Sequence, residues 1–87
     1  MAGYSGFIKR NAAKEIEAVD PKKDRARLVE RIRALGAQPR AVGCEKLAGP
    51  DDLDRVRVGA YRIVYPIDDK AAELHVVKVG HRRDVYR

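Results

Sequence analysis

Between Leu53 and Val79 the chain reverses twice within breaks too short to hold a helix. Leu53 to Val58 alternates, with Arg55 and Arg57 on one face and Val56 and Val58 on the other. Tyr61 to Ile67 alternates again, setting Tyr61, Ile63, Tyr65 and Ile67 against Arg62 and Val64. Glu73 to Val79 is a third, apolar-rich run. Side chains on a strand switch face at every residue, so each run reads as a strand. Gly59-Ala60 suits a tight two-residue hairpin with glycine leading, and Asp68-Asp69-Lys70 is a turn by composition. Parallel neighbours need a crossover of a dozen residues or more, so connections this short dictate antiparallel pairing. Val76-Val77 and Val79 predict a central last strand covered on both faces.

The preceding half has helical periodicity. After a short strand over residues 3–8, carrying Tyr4 and Phe7, a helix is predicted from Arg10 to Val19, with Ala12, Ala13, Ile16 and Val19 at helical spacing. Asp20-Pro21 stops it and restarts a second helix, since Asp caps well and Pro suits the first helical position. That helix is expected to run from Pro21 to about Leu35. Leu28, Ile32 and Leu35 form its stripe, widened by Ala26 and Val29, and Gly36 stands at the C′ position. Gln38-Pro39-Arg40 breaks the pattern, Cys44 to Leu47 reads as a short strand, and Ala48 to Asp52 as a turn. The order β-α-α-β-β-β-β predicts an α+β fold: a two-helix hairpin on one face of a mostly antiparallel, curved sheet.

Eighty-seven residues are read as one domain, 1–87, with a thin core, because a chain this short buries only about 60 % of its unfolded surface. The single Cys44 cannot form an internal disulfide and is expected to be a small buried thiol. No run approaches the roughly 20 apolar residues of a membrane span, and the N-terminus lacks a signal-peptide pattern, so a cytoplasmic protein with no membrane partner is expected.

Nineteen Lys and Arg against thirteen Asp and Glu give a net charge of +6, which favours anionic partners. In the first half the charges are mixed: Lys14 beside Glu15, Lys22 and Lys23 beside Asp24, and Arg27, Arg31 and Arg33 around Glu30. These read as solvated helix faces. The second half differs, since no acidic residue lies from Arg55 through Ile67. Arg55 and Arg57 point the same way about 7 Å apart. The hairpin brings Arg62 beside them, and His81-Arg82-Arg83 follows the last strand. Three guanidiniums on one face repel unless something anionic sits there, and guanidinium matches phosphate in bidentate geometry. The candidates for that anion are a phosphate backbone or an acidic partner segment; the plain alternative is exposed arginines paired to Asp51, Asp52 or Asp54. Tyr86 adds an aromatic face that can stack an unpaired base. The two histidines and one cysteine are too scattered for zinc, and no glycine spacing matches a phosphate loop, so neither a metal nor a cofactor is expected.

Three segments carry a family resemblance: Lys46-Leu47-Ala48-Gly49, then Arg55 to Tyr65, then Val79-Gly80-His81-Arg82-Arg83-Asp84-Val85-Tyr86. Together with the helix pair closing on Gln38-Pro39-Arg40, they resemble the RelE branch of the RelE/ParE toxins over nearly the whole chain. The resemblance implies the microbial-RNase-like RelE fold and a toxin of a type II toxin–antitoxin system. It implies a ribosome-dependent mRNA endoribonuclease in which the substrate's 2′-hydroxyl attacks the adjacent phosphate without a metal. It also implies a cognate acidic antitoxin that silences the toxin in a hetero-oligomer. Carried across by position, the catalytic candidates are Arg62, Arg82 and Tyr86, with Arg55, Arg57, Lys46 and Arg83 on the RNA. The family's lysines are replaced here by Arg55 and Arg57, and arginine is a poor general base. His81, the nearby group that titrates in the useful range, is the candidate for proton transfer, the alternative being an exposed histidine with no catalytic role. A ParE-like toxin acting on DNA gyrase and a non-catalytic binding module are the competing functions.

Overall fold

The computed structural model describes residues 3–20, 22–40, 43–47 and 52–81. Strand β1 (Ser5–Ile8) leads into helix α1 (Arg10–Glu17) and helix α2 (Lys22–Ala37). Strands β2 (Cys44–Lys46), β3 (Leu53–Val58), β4 (Tyr61–Asp68), β5 (Glu73–Val76) and β6 (Lys78–His81) follow. The spatial order is β1-β5-β4-β3-β2, with β6 also pairing β4; only the β1–β5 pair is parallel. The α+β architecture and the mostly antiparallel sheet are as the alternation dictated. Gly59, at φ +60, leads the β3–β4 turn, and register runs outward from Val58 opposite Tyr61.

The helices lie on one face. From them Ala12, Ile16, Val19, Leu28, Ile32 and Leu35 meet Val56, Ile63, Tyr65, Leu74, Val76 and Val79 of the sheet. Tyr65 is fully buried, and its hydroxyl donates to the Pro39 carbonyl at 2.8 Å and lies 3.2 Å from the Cys44 Sγ. Burial pushes the Tyr65 phenol well above its usual range, so it stays a donor.

Three details depart from expectation. First, α2 does not end before Gly36 but runs through it to Ala37. The Tyr4 amide donates to the Gly36 carbonyl at 2.6 Å, and a Cβ at Gly36 would lie only 3.0 Å from the Tyr4 carbonyl oxygen. Gly36 is there to let the chain entering β1 approach the helix, not to cap it. Second, α1 stops at Glu17, and Val19 reaches the core from a tightened final turn in which its amide donates to the Ile16 carbonyl.

Third, the expected last strand is divided. Against β4, Leu74 is opposite Ile67, whereas Lys78 is opposite Val64. Residues 75–77 therefore face only residues 65 and 66, which is a β-bulge of one extra residue. Its cause is Pro66. The Val64 carbonyl accepts from the Val77 amide, so position 66, two residues on, faces the same neighbour, and proline has no N–H to offer it.

The outer edge of this broken strand is covered in two stages. β1 pairs with Glu73–Val76, and where β1 ends the Lys9 amide donates to the Val76 carbonyl. Side chains of α1 then take over: Asn11 Nδ2 donates to the Val77 carbonyl at 2.9 Å, and the Val79 amide donates to Glu15 Oε1 at 2.9 Å. Glu15 Oε2 also holds Lys78 Nζ at 2.5 Å. Asn11 and Glu15 are one helical turn apart, about 6 Å, close to the spacing of residues 77 and 79 along a strand. No helix among the described residues is long and apolar enough to cross a membrane.

Candidate RNA-binding cleft

On the face opposite the helices, register decides which side chains meet. Arg57 lies directly across from Arg62, and Arg55 across from Val64 on one side and Glu45 on the other. Cross-strand partners share a face, so the three arginines and Glu45 converge. Together with Gly43 they line a cleft of about 300 Å³. Arg55 donates from Nη2 and Nε to Glu45 Oε2, at 2.9 and 3.3 Å. That bond, helped by the charges of Arg62 and Arg57, holds the Glu45 carboxyl below its usual range, so it is ionised at neutral pH. Among the described residues, one carboxylate against three guanidiniums leaves the cleft with an excess of two positive charges, suited to a phosphodiester.

Sequence reasoning missed Glu45. Acidic partners are expected from the sequence at Asp51, Asp52 and Asp54, near the arginines along the chain, whereas Glu45 is brought to Arg55 by the pairing of β2 with β3. The available sign was that Cys44–Leu47 reads as a strand, on which Glu45 and Cys44 must point to opposite faces.

The same fold occurs in solved toxin structures. A chain of the toxin–antitoxin complex RelBE2 from Mycobacterium tuberculosis is similar at 26 % identity, with 97 % of each chain covered and a TM-score of 0.81. The archaeal RelE–RelB complex from Pyrococcus horikoshii OT3 contains a chain similar at 26 % identity, covering 94 % of this chain and 98 % of that one, with TM-score 0.81. The isolated E. coli RelE toxin is similar at 25 % identity, covering 90 % and 83 %, with TM-score 0.75. A family model described as the ParE toxin of the type II toxin–antitoxin system parDE matches residues 7–86. The chain belongs to the RelE/ParE toxin superfamily. No curated protein sequence matches it.

Within this RelE/ParE toxin, the expected site residues are distributed unevenly. Arg55, Arg57 and Arg62 share the cleft. Lys46 does not: it is opposite Asp54 on the other side of β2 from Glu45 and is ion-paired to Asp52. His81 is opposite Tyr61, its ring edge-on to the tyrosine ring at 5.9 Å. Tyr61 alternates with Arg62, so His81 belongs to the helix-covered face and not to the arginine cleft. The bulge explains this, because one extra residue reverses the facing of everything after it. Gly80 is the residue opposite Arg62, so β6 contributes no side chain at that position. Arg82, Arg83 and Tyr86 lie outside the described residues, though within the span of the family match.

Proposed function

We propose that this toxin is a ribosome-dependent mRNA endoribonuclease. The observation that carries the reading is the placement of Arg57 directly opposite Arg62, with Arg55 alongside, in a cleft whose acidic side chain is Glu45. Like charges placed opposite each other are unfavourable in a bare sheet, and a phosphodiester relieves them. Arg57 and Arg62 would hold the scissile phosphate and stabilise the charge that grows on its oxygens. The 2′-oxygen of the substrate attacks phosphorus and the 5′-oxygen of the next nucleotide departs, leaving a 2′,3′-cyclic phosphate and a 5′-hydroxyl. Glu45 rather than His81 is proposed to take the 2′-hydroxyl proton, because it shares the cleft with the arginines and is ionised. Arg82 and Tyr86 are proposed, from the resemblance, as a third phosphate ligand and the group that stacks a base or protonates the leaving oxygen. Arg83 is proposed as a further backbone contact. The guanidiniums supply the positive charge, so the step is expected to need no metal ion held by the toxin.

The partner is proposed to be a cognate acidic antitoxin in a cytoplasmic hetero-oligomer. Support comes from the RelE–RelB complexes among the similar structures, from the +6 charge, and from Phe7 and Ile8, which are 46 % and 41 % exposed on β1.

Cleavage of a defined mRNA in a purified translation system tests the reading. Antitoxin-free toxin should cut at in-frame codon positions, and Arg62→Ala should slow the cut at least about 100-fold, the scale of losing one electrostatic stabiliser. Glu45→Gln should slow it by a similar factor. One finding favours a second reading: the matching family model is that of the ParE toxins. If folded toxin leaves the mRNA intact, inhibition of gyrase supercoiling becomes the expected activity.

A further inference from the structure

The strand β2 begins at Cys44, opposite Val56, so among the described residues the edge of β3 away from β4 has no strand beside it from Arg57 onward. At this uncovered edge the arginine cleft meets a second concavity. It is a groove of about 670 Å³ between α2 and the β3–β4 turn, and Arg57 lines both. Its α2 wall carries Arg27 and Arg31, while Ala26, Ala34, Val58 and Gly59 supply a floor of small and apolar groups. Arg31 also reaches the rim of the first cleft, since its Nη2 lies 4.0 Å from where a side chain at Gly43 would begin. Gly43, at φ +93, is a position that strains any residue with a side chain, so this junction stays narrow and unfilled. Arg62, Arg57, Arg31 and Arg27 thus belong to two concavities joined at Arg57 and drawn from three elements, β3, β4 and α2. Glu30 is the acidic side chain of the groove, and it is turned toward Arg33 at 4.0 Å.

We infer that the groove along α2 is a second RNA subsite, which takes the single strand as it leaves the cleft around the uncovered edge of β3. Arg31 and Arg27 bind the phosphates of nucleotides flanking the scissile one, and the Ala26–Ala34–Val58 floor lies under their riboses or bases. A single strand is required because a duplex is too wide and stiff to turn over a sheet edge, whereas an unpaired backbone bends freely. Net positive charge and continuity with the cleft favour RNA here over a purely apolar partner. The inference rests on the proposed RNA-binding role of the cleft and extends its footprint from one phosphate to several.

The test compares two non-cleavable 2′-O-methyl oligoribonucleotides, a trinucleotide and a twelve-nucleotide strand, binding to the whole toxin over a range of salt. The wild type should bind the longer strand more tightly and with a steeper fall in log K against log[salt]. The double variant R27A/R31A should flatten that slope by about 1.4, close to 0.7 for each phosphate no longer neutralised. It should leave the thermal midpoint unchanged and lower affinity for the trinucleotide far less than affinity for the longer strand. Equal slopes for wild type and variant on the long strand would overturn the subsite while leaving the cleft intact. Failure of the wild type to bind even the trinucleotide would instead overturn the cleft reading itself. A variant that keeps its RNA binding but loses affinity for a twelve-residue glutamate-rich helical peptide would assign the groove to an acidic protein partner and overturn the inference.

Discussion

On the proposed RNA-binding role of the cleft, Arg57 serves function at the expense of the fold. Directly opposite Arg62, it places two full positive charges on neighbouring strands, while the acid of the cleft, Glu45, is committed to Arg55. Arg57→Gln removes the repulsion and keeps a strand-compatible side chain of similar reach. It should therefore stabilise the free toxin, by a few tenths to about 1 kcal/mol in urea denaturation, and weaken RNA binding in the same preparation. The arginines themselves were legible in the sequence, because alternation and a two-residue turn suffice to bring Arg55, Arg57 and Arg62 onto one face. Glu45 was not legible in the same way. Its role depends on which residue of β2 faces Arg55, and a three-residue strand joined through the turn before β3 leaves that register open. His81 was misplaced for a related reason: facing can be counted along an unbroken strand, but the count fails across a bulge.

At the scale of elements, α1 does more than shield the sheet. Its Asn11 and Glu15 act as a substitute strand for the edge of β6, satisfying a carbonyl and an amide that have no other strand to pair with. The Val79 amide belongs to a residue only 1 % exposed, so removing its acceptor leaves a donor with little access to water. Glu15→Ala should accordingly cost about 1–3 kcal/mol of unfolding free energy. Glu15→Gln, which keeps an oxygen in place, should lose markedly less; equal losses for the two would assign the effect to the Lys78 ion pair. Nothing in the helical periodicity of residues 10–19 foretold this, since Glu15 there reads as one more solvated acid beside Lys14. The helices themselves, their apolar stripes and their break at Asp20-Pro21 were legible. Gly36 is not the C′ cap that the sequence suggests; it lies within α2 and is needed for a tertiary reason that local sequence does not carry.

Across the whole molecule, three distant segments converge on Asp69 in the β4–β5 turn. Tyr4 donates its hydroxyl at 2.6 Å, and Arg40 makes two bonds at 3.1 and 3.0 Å, so the start of β1 and the segment after α2 are tied to the far end of the sheet. The Arg40 guanidinium, then the Tyr4 hydroxyl, hold the Asp69 carboxyl down to about 2, against an ordinary value of about 3.9. A depressed carboxylate stabilises the fold above its unfolded pKa and loses that contribution as pH falls through its folded one. The thermal midpoint of Asp69→Asn should therefore lie below that of the wild type at pH 7. The gap should shrink as pH drops from about 4 towards 2, in circular-dichroism melts across that range. The cluster is exposed, so raising salt at pH 7 should narrow the gap as well.

The bulge opposite Pro66 makes residue count, rather than residue type, the determinant of what the end of the sheet presents. With the extra residue, Leu74, Val76 and Val79 all face the core, a spacing of two and then three, and Gly80 comes to rest beside Arg62. Pair the same sequence without the bulge and the same letters would be dealt to opposite sides: Val79 outward, His81 among the arginines. A single-codon deletion between Leu74 and Lys78 would close the bulge and leave every downstream residue on its present face, so the slack of one residue is what the strand can lose without scrambling its end.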